Sequence, residues 1–289
     1  MANRIAVSTA SLAKFEDKLP YGLLDTFRIM KRILERGVVD GFELLYKPEW
    51  DGDPPLSQKD MIDYTAKEVL VRLQKEHFPI LSVHARKDIG VYLRSKHRSD
   101  FEKGKRLMHD SLAFTEALDA EICVFHLWDT FSTSFDLDMI SNAFQETTNQ
   151  FPRLIASVEN IPTSLEGKTP FNLVKNFDYL TLDTRWATVY NELNNFESMT
   201  NKIVNIHLRG ELGREKWFID NLRFSFYGPL ETIRKDNSSL DFYGILERIR
   251  THWRCSRLLT MEPDGKLDSS RFDSFLRALL SLRQGESAL

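Results

Sequence analysis

The segment RIAVSTASLAKFED, residues 4–17, decides between the two folds that the rest of the chain allows. A short apolar run, Arg4–Ser8, has the composition of a buried strand and passes directly into STASLAKFED, which contains no glycine. An open doubly wound sheet usually carries a glycine-rich phosphate-binding turn after its first strand. The segment therefore favours an α/β fold of the (β/α)8 TIM-barrel type over the open sheet.

Seven further short apolar runs read as strands: Gly41–Leu45, Ile80–His84, Ile122–His126, Leu154–Glu159, Tyr179–Asp183, Lys202–His207 and Arg257–Glu262. Longer stretches with helical periodicity lie between and after them: Gly22–Arg36, Ser57–Glu76, Asp100–Leu118, Asp136–Gln150, Asp241–His252 and Ser269–Arg283. The helix after the sixth strand has the weakest pattern. Strand and helix alternating in this way predict parallel pairing with crossover helices. The length of 289 residues fits a single barrel domain spanning residues 1–289.

The composition narrows the class of protein. Hydrophobic residues make up 42% and charged residues 28% of the chain, which is typical of a globular domain. The net charge of -3 offers no overall attraction to nucleic acid or to an anionic membrane. Two cysteines cannot build a disulfide framework, and there is neither a membrane-spanning run nor a signal-peptide core. We expect a cytoplasmic protein without membrane or nucleic-acid partners; its oligomeric state is left open.

The ends of the predicted strands carry the functional information, because catalytic groups of TIM barrels sit at the carboxyl ends of the strands. Six consecutive strands end in titratable residues: His84, His126, Glu159, Asp183, His207 and Glu262. Five of the six residues two positions earlier are small and polar: Ser82, Ser157, Thr181, Asn205 and Thr260. The residues in between are apolar. Alternation along a strand therefore predicts a polar barrel mouth, with hydroxyl and amide groups beneath it.

Three carboxylates converging on one barrel mouth, at Glu159, Asp183 and Glu262, would repel one another. A bound divalent cation is the simplest way to keep them ionised together. Carboxylates with an imidazole make an oxygen-rich site, which favours Mn²⁺ or Mg²⁺ and leaves Zn²⁺ and Co²⁺ open. A single strand-terminal side chain of this kind is more often a structural hydrogen bonder, so the prediction depends on the whole set.

The strand motifs, in order along the chain, are GFELL, SVHA, VFH, VENIP, LDT, IHL and ME. With these motifs the sequence resembles the xylose isomerase-like TIM-barrel superfamily, which includes sugar isomerases, ketose 3-epimerases, dehydratases and endonuclease IV proteins. The resemblance covers nearly the whole chain. It implies one divalent metal ion bound by Glu159, Asp183, His207 and Glu262. It also implies proton transfer by Glu159 and Glu262. His84 and His126 match positions that bind substrate or, in the nuclease branch, additional metal. Glu43 matches an acidic position on the second strand and is either a further substrate contact or a structural hydrogen bonder.

Two positions depart from the superfamily pattern. Relatives often read LDT-x-His, whereas this chain has Trp186 at the histidine position. The nuclease branch carries an Asp-x-His after the seventh strand, and the nearest match here ends in Leu222. The missing imidazoles argue for one metal ion rather than three. We expect the ring of Trp186 to line the mouth and to contact substrate, and the neighbouring Arg185 to point elsewhere, as in an extended chain.

The predicted activity is a metal-dependent isomerisation or epimerisation of a small polyhydroxylated substrate, by proton transfer through an enediolate. A lyase or dehydratase using the same first step, a binding protein that keeps the barrel, and a nuclease-like phosphodiesterase are the alternatives. Eight Lys or Arg residues oppose three acids between His84 and Arg106, and Arg209 lies among further basic residues after the seventh strand. These cations form either a solvated surface or a site for a substrate phosphate or carboxylate.

Overall fold

Eight parallel strands close into a barrel in the computed structural model, which describes residues 3–16, 22–52, 64–209, 217–218, 239–240, 242–253, 258–263 and 267–287. The strands β1 to β7 are Arg4–Ser8, Gly41–Leu45, Ile80–His84, Ile122–Phe125, Ile155–Glu159, Leu180–Asp183 and Ile203–Arg209. The eighth barrel strand is β10, Leu258–Glu262. Around the ring the order is β1-β10-β7-β6-β5-β4-β3-β2. The predicted TIM barrel is confirmed; the assignment of residues 1–289 to one domain stays a prediction.

Two short strands lie in the long connection between β7 and the last barrel strand. They are β8 (Trp217–Phe218) and β9 (Ser239–Leu240), and they pair antiparallel as a separate two-stranded sheet. Neither strand is among the predicted elements, because two-residue strands are too short to show an alternating pattern.

The helices that connect the strands are α1 to α10, in chain order Leu23–Leu34, Ala66–Glu76, Ile89–Leu93, Arg98–Ala117, Leu137–Thr148, Pro170–Val174, Thr184–Val189, Leu193–Glu197, Phe242–Thr251 and Phe272–Ser287. The second predicted helix began too early, since Thr65 caps α2 by accepting a hydrogen bond from the backbone N–H of Glu68. Positions 57–63 of that prediction lie outside the described residues. The weakly predicted helix after β6, over residues 190–201, is the short helix α8, and α7 precedes it as a helix that the sequence pattern did not predict. No helix in the described ranges is long and apolar enough to cross a bilayer.

The predicted alternation of strand residues is confirmed on the helix-facing side. The residues between the polar positions all belong to the large hydrophobic core: Val83, Phe125, Val158, Leu182, Ile206 and Met261. Burial of these side chains under the surrounding helices holds the barrel together, at roughly 25 cal/mol for each Å² of apolar surface removed from water.

A second, smaller hydrophobic cluster fills the bottom of the barrel. Its residues are Ala6, Ile122, Val124, Ile155, Val204 and Leu258. Val204 belongs to it because the pairing of β6 with β7 shifts register: Leu180 pairs with Ile203, and Thr181 with Asn205. The shift leaves Val204 as an extra residue, as in a β-bulge. The barrel interior is therefore apolar at its base and polar only in its upper half.

Candidate active site at the barrel mouth

The titratable strand ends meet at the carboxyl end of the barrel. Three groups of side chains each bring potential ligand atoms within 4.8 Å of one another. They are Glu159 with Asp183 and His207, Glu43 with His207 and Glu262, and His84 with His126 and Glu159. Every member except His126 is buried. Because Glu159 and His207 are each shared by two groups, the residues form one continuous cluster.

Glu159, the last residue of β5, is the centre of the cluster. Its Oε2 atom lies 3.2 Å from Nε2 of His84, 3.0 Å from Nε2 of His126 and 3.5 Å from Nδ1 of His207. Its Oε1 atom is buried and has no hydrogen-bond partner among the described residues. One carboxylate oxygen is thus surrounded by three imidazoles, while the other is available to a ligand.

Glu43, on β2, belongs to the second of these groups and is completely buried. Its Oε2 atom accepts hydrogen bonds from Ser82 Oγ at 3.0 Å, Asn205 Nδ2 at 3.1 Å and His207 Nε2 at 3.1 Å. Thr260 Oγ1 in turn donates to Oδ1 of Asn205. Ser82, Asn205 and Thr260 are three of the small polar residues predicted beneath the mouth. Here they position a carboxylate, and the carboxylate positions a histidine.

The imidazole protons can be assigned from these contacts. Nε2 of His207 donates to Glu43, so Nδ1 of the neutral ring presents a lone pair toward Glu159 Oε2 and toward Glu262 Oε1 at 3.7 Å. Similarly, Nδ1 of His84 donates to the carbonyl oxygen of Ala85 at 2.8 Å, and its Nε2 then faces Glu159 as an acceptor. At both histidines, a ring nitrogen with a lone pair faces a carboxylate oxygen, so two acceptors lie opposite each other. An additional proton or a bound cation between them would make the contact favourable. The ligand atoms of Glu159, Asp183, His207 and Glu262 therefore fit a metal ion.

The electrostatics of the cluster are strongly coupled. Burial lowers the pKa of His126 to about 4, against the opposing effect of Glu159. Burial alone would raise the pKa of Glu159, but His126 and His207 hold it well below its usual range. Burial also disfavours a charged His207, yet Glu43, Glu262 and Glu159 raise its pKa well above its ordinary value. Glu159 is therefore ionised, and positive charge is favoured at the position that His207 Nδ1 faces.

Asp183 combines two roles at the end of β6. Its Oδ1 atom caps the following helix α7 by accepting from the backbone N–H groups of Arg185 and Trp186, at 2.8 and 3.3 Å. Asn160, the residue after Glu159, bonds to both the N–H and the carbonyl of Asp183. This amide joins the ends of β5 and β6 and fixes the relative position of two of the proposed ligands. Asn160 was not among the predicted site residues, although its place directly after a strand-terminal glutamate was a usable signal.

Solved structures with the same architecture are sugar epimerases and related proteins. The chain aligns over 99% of its length with L-ribulose 3-epimerase, covering 97% of that chain with a TM-score of 0.63 and 12% identity. For D-allulose 3-epimerase from Methylomonas sp., solved with D-allulose, the coverages are 99% and 96%, the TM-score 0.61 and the identity 11%. For the IOLI protein with a bound zinc atom, the alignment covers 99% of this chain and 95% of that chain, with a TM-score of 0.58 and 11% identity. The sequence matches no protein-family model and no curated protein.

The chain shares the (β/α)8 barrel fold of these solved structures. In a barrel of this fold the strand-terminal side chains share one mouth, and here Glu43, His84, His126, Glu159, Asp183, His207 and Glu262 lie together there. Of the remaining predicted site residues, Arg209 ends β7 and pairs in register with Glu262 of β10. The Arg209 side chain lies outside the described part of the structure.

The expectation for Arg185 and Trp186 was wrong in one respect. Thr184–Val189 forms helix α7, so the alternation of an extended chain does not apply to these two residues. Both side chains are buried, and the guanidinium carbon of Arg185 lies 5.1 Å from the centroid of the Trp186 ring. Trp186 lies three residues after Asp183 in the chain, and its ring packs with the Arg185 cation.

The basic residues after β3 divide into two sets. Arg86 is only 1% exposed and binds Asp51 and Asp88, so it connects the loops that follow β2 and β3. Arg94 pairs with Asp129 at 2.7 Å between Nε and Oδ2. These two arginines have structural partners, whereas Lys96 and Arg98 are exposed to solvent.

Proposed function

We propose that this protein is a divalent-metal-dependent isomerase or epimerase that acts on a sugar or a sugar phosphate. The observation that supports this most strongly is that ligand atoms of Glu159, Asp183 and His207 lie within 4.8 Å of one another. Two buried atoms of this group, Oε1 of Glu159 and Nδ1 of His207, have no hydrogen-bond partner among the described residues. Neighbours of the same fold were solved with D-allulose and with D-fructose, which supports a small polyhydroxylated substrate.

Glu159, Asp183, His207 and Glu262 would hold the ion, with Mn²⁺ or Mg²⁺ favoured by the excess of carboxylate oxygens. When bound, a divalent cation polarises a carbonyl oxygen and the neighbouring hydroxyl and so makes the adjacent C–H bond more acidic. The zinc atom in the IOLI protein keeps Zn²⁺ among the candidates. Glu43 would hold His207 in the tautomer that can bind a metal through Nδ1, because its carboxylate accepts a hydrogen bond from the Nε2–H group.

Glu159 and Glu262 would carry the protons. They end β5 and β10, which are three strands apart around the ring of eight, so they approach a bound sugar from different directions. One carboxylate removes the proton from the carbon next to the carbonyl, and the C–H electron pair moves to form an enediolate. The other returns a proton to the opposite face of that carbon, which inverts it, or to the neighbouring carbon, which moves the carbonyl.

His126 would contact the sugar directly. Its side chain is 12% exposed, whereas His84 and His207 are almost completely buried. With its pKa lowered to about 4 it is neutral at pH 7, and it donates through Nε2 to Glu159. A neutral imidazole beside the reacting carbon orients hydroxyl groups without adding a charge. His84 and Trp186 are proposed as further substrate contacts.

Proton exchange with solvent tests this proposal before the substrate is known. The metal-loaded protein is incubated in D₂O with a panel of ketoses, aldoses and their phosphates, and each sugar is followed by NMR. An enediolate mechanism places deuterium on the carbon next to the carbonyl. Loss of water from the sugar instead of exchange would indicate the lyase alternative.

The matched variants are Glu262→Gln and Glu68→Gln. Glu262 lies in the barrel mouth, and Glu68 is an exposed carboxylate on α2. Exchange should disappear in Glu262→Gln and persist in Glu68→Gln. Absence of exchange in the wild-type protein with every sugar, tested with Mn²⁺, Mg²⁺, Zn²⁺ and Co²⁺ in turn, would rule out the proposed function.

A further inference from the structure

A cavity of about 1050 Å³ lies outside the cluster at the barrel mouth. Its walls come from the connection between β3 and α4, from the first turns of α4 and α5, and from the connection between β5 and α6. None of the titratable residues of the proposed active site lines it. The cavity is large enough for a small organic molecule, whose sites usually measure about 300–1000 Å³.

Four cations line this cavity: Arg94, Lys96, Arg98 and Lys168. Arg94 is already paired with Asp129. The other three are exposed, and none of them forms an ion pair within 4.0 Å in the part of the chain that the structure describes. Two acids, Asp136 and Asp138, also line the cavity, and Oδ1 of Asp136 accepts from the backbone N–H of Met139 as the cap of α5. Three cations that form no ion pair with any described residue therefore line the cavity, against two acids.

The first turn of α4 adds to this positive character. The helix is 20 residues long, and its N-cap residue, His97, provides no side-chain cap. By contrast, α5 is capped by Asp136. Uncapped N–H groups and the positive end of the helix dipole both favour an anion at this position. Lys96 precedes that turn and Arg98 begins it, while Asp100 in the same turn offsets part of the positive charge.

The remaining wall is apolar. It is formed by Phe101, Phe135, Leu137, Met139, Leu165 and Leu173. Met139 is 37% exposed, although it is a large apolar side chain, and Phe135 and Leu165 are only partly buried. A free inorganic ion would leave this surface in contact with water, so it favours a ligand with an apolar body.

We propose that this cavity is a second binding site, for a phosphate monoester attached to an apolar or aromatic group. Lys96, Arg98 and Lys168 neutralise the dianion, and the apolar wall packs against the organic part. This inference does not depend on the proposed sugar chemistry, because the two sites share no residue. Phosphate is preferred to a carboxylate because its second negative charge matches three free cations.

Phenyl phosphate is the probe, and its binding is measured by isothermal titration calorimetry. The titration uses the full chain with Glu159→Gln in the presence of EDTA, so that neither a metal ion nor an intact barrel mouth contributes. We expect saturable 1:1 binding that weakens by about 10- to 100-fold when Lys96, Arg98 and Lys168 are all changed to Gln, since each exposed charge contact contributes about two- to fivefold. Phenol, which lacks the charge, should bind far more weakly.

A charge-matched control separates the cavity from general electrostatic attraction. Lys31, Lys67 and Lys75 are exposed residues of α1 and α2, and changing all three to Gln removes the same total charge. This control should bind phenyl phosphate as tightly as the parent protein. Equal loss in both triple variants, unchanged binding in the cavity variant, or no binding to the parent protein would each overturn the proposal.

Met139→Gln tests the apolar half of the site. It should weaken binding of phenyl phosphate and leave inorganic phosphate unaffected, because only the organic part contacts this wall. Equal effects on the two ligands would contradict the assignment of an aromatic phosphate ester.

Discussion

Nε2 of His207 lies 3.1 Å from Oε2 of Glu43, and this hydrogen bond determines which nitrogen of the ring faces the barrel mouth. A carboxylate only accepts, so the proton is held on the Glu43 side and Nδ1 points toward Glu159 and Glu262. Glu43 therefore acts on the other residues of the mouth through His207. The resemblance left two roles open for Glu43, and its complete burial with three hydrogen-bond donors on Oε2 favours the structural one.

The first prediction concerns Glu43→Gln. The substitution keeps the shape of the side chain but removes the negative charge that orients and polarises His207. Removing such a supporting carboxylate typically costs about 10- to 100-fold in metal affinity. We expect a loss of that size for Mn²⁺, measured by competition with a chelator. Glu76→Gln, at the exposed end of α2, is the control and should bind Mn²⁺ normally. Unchanged affinity in Glu43→Gln would show that His207 is not held for ligation.

The second prediction concerns Glu159→Gln. The amide removes basicity and one negative charge from the centre of the cluster, so turnover should fall by about 100-fold or more while the fold is kept. Activity on any substrate found by the exchange assay and the circular dichroism spectrum are the two measurements. Retained activity with a normal metal content would remove Glu159 from the mechanism.

Metal stoichiometry gives the third prediction. Trp186 replaces an imidazole that relatives often have, and an indole N–H is a donor that cannot bind a cation. We therefore expect about one divalent ion per chain after gel filtration, measured by inductively coupled plasma mass spectrometry. A value near three would support the nuclease alternative instead.

Trp186 itself is the subject of the fourth prediction. Trp186→His should leave a folded barrel, because the ring packs with the Arg185 guanidinium in helix α7 and is absent from both described hydrophobic clusters. The same variant should change the KM for the sugar or increase the metal content. Thermal unfolding provides the check: a barrel that no longer folds would assign Trp186 to the core, and its proposed substrate contact would be withdrawn.

The fifth prediction tests the packing of α3, the short helix that follows β3. A Cβ atom on Gly90 would lie 2.4–2.7 Å from backbone atoms of Trp128, which cannot move aside. Gly90→Ala should lower the free energy of unfolding by about 1–3 kcal/mol or more. Gly104→Ala is the comparison, because its Cβ would meet mainly the flexible side chain of Leu93, and alanine favours the helix. Urea denaturation of both variants gives the answer, and equal stability would contradict the close approach of Gly90 to the Trp128 backbone.

The fold could be predicted from the sequence because its signals are local and repeated. The eight predicted strands differ from the observed ones by at most two residues at either end, since each is a compact apolar run. Helix α2 was extended too far because Thr65, its cap, was read as part of the periodic pattern. Helix α7 was not predicted, because the residues that follow Asp183 show no clear helical periodicity. The start of this helix depends instead on the capping hydrogen bonds that Asp183 accepts.

The site was predictable as a set of residues but not as a network. Alternation placed Ser82, Asn205 and Thr260 in the barrel interior, yet it could not show that two of them bind Glu43 and the third binds Asn205. Contacts between strands that are distant in sequence depend on the closure and register of the barrel. The same limit applies to the basic residues after β3, where composition grouped Arg86 with Lys96. Only the burial of Arg86 and its ion pairs distinguish this structural residue from the exposed Lys96.

The apolar base of the barrel determines how water, ions and small molecules can reach the barrel interior. Ala6, Ile122, Val124 and Leu258 are completely buried, and Val204, which the register shift adds to this layer, is 4% exposed. Among the described residues, this layer leaves no polar path through the base of the barrel, so the mouth is the opening that they show. In the proposed function, substrate, product and exchanging protons would all pass through this mouth, and its width would limit both entry and release.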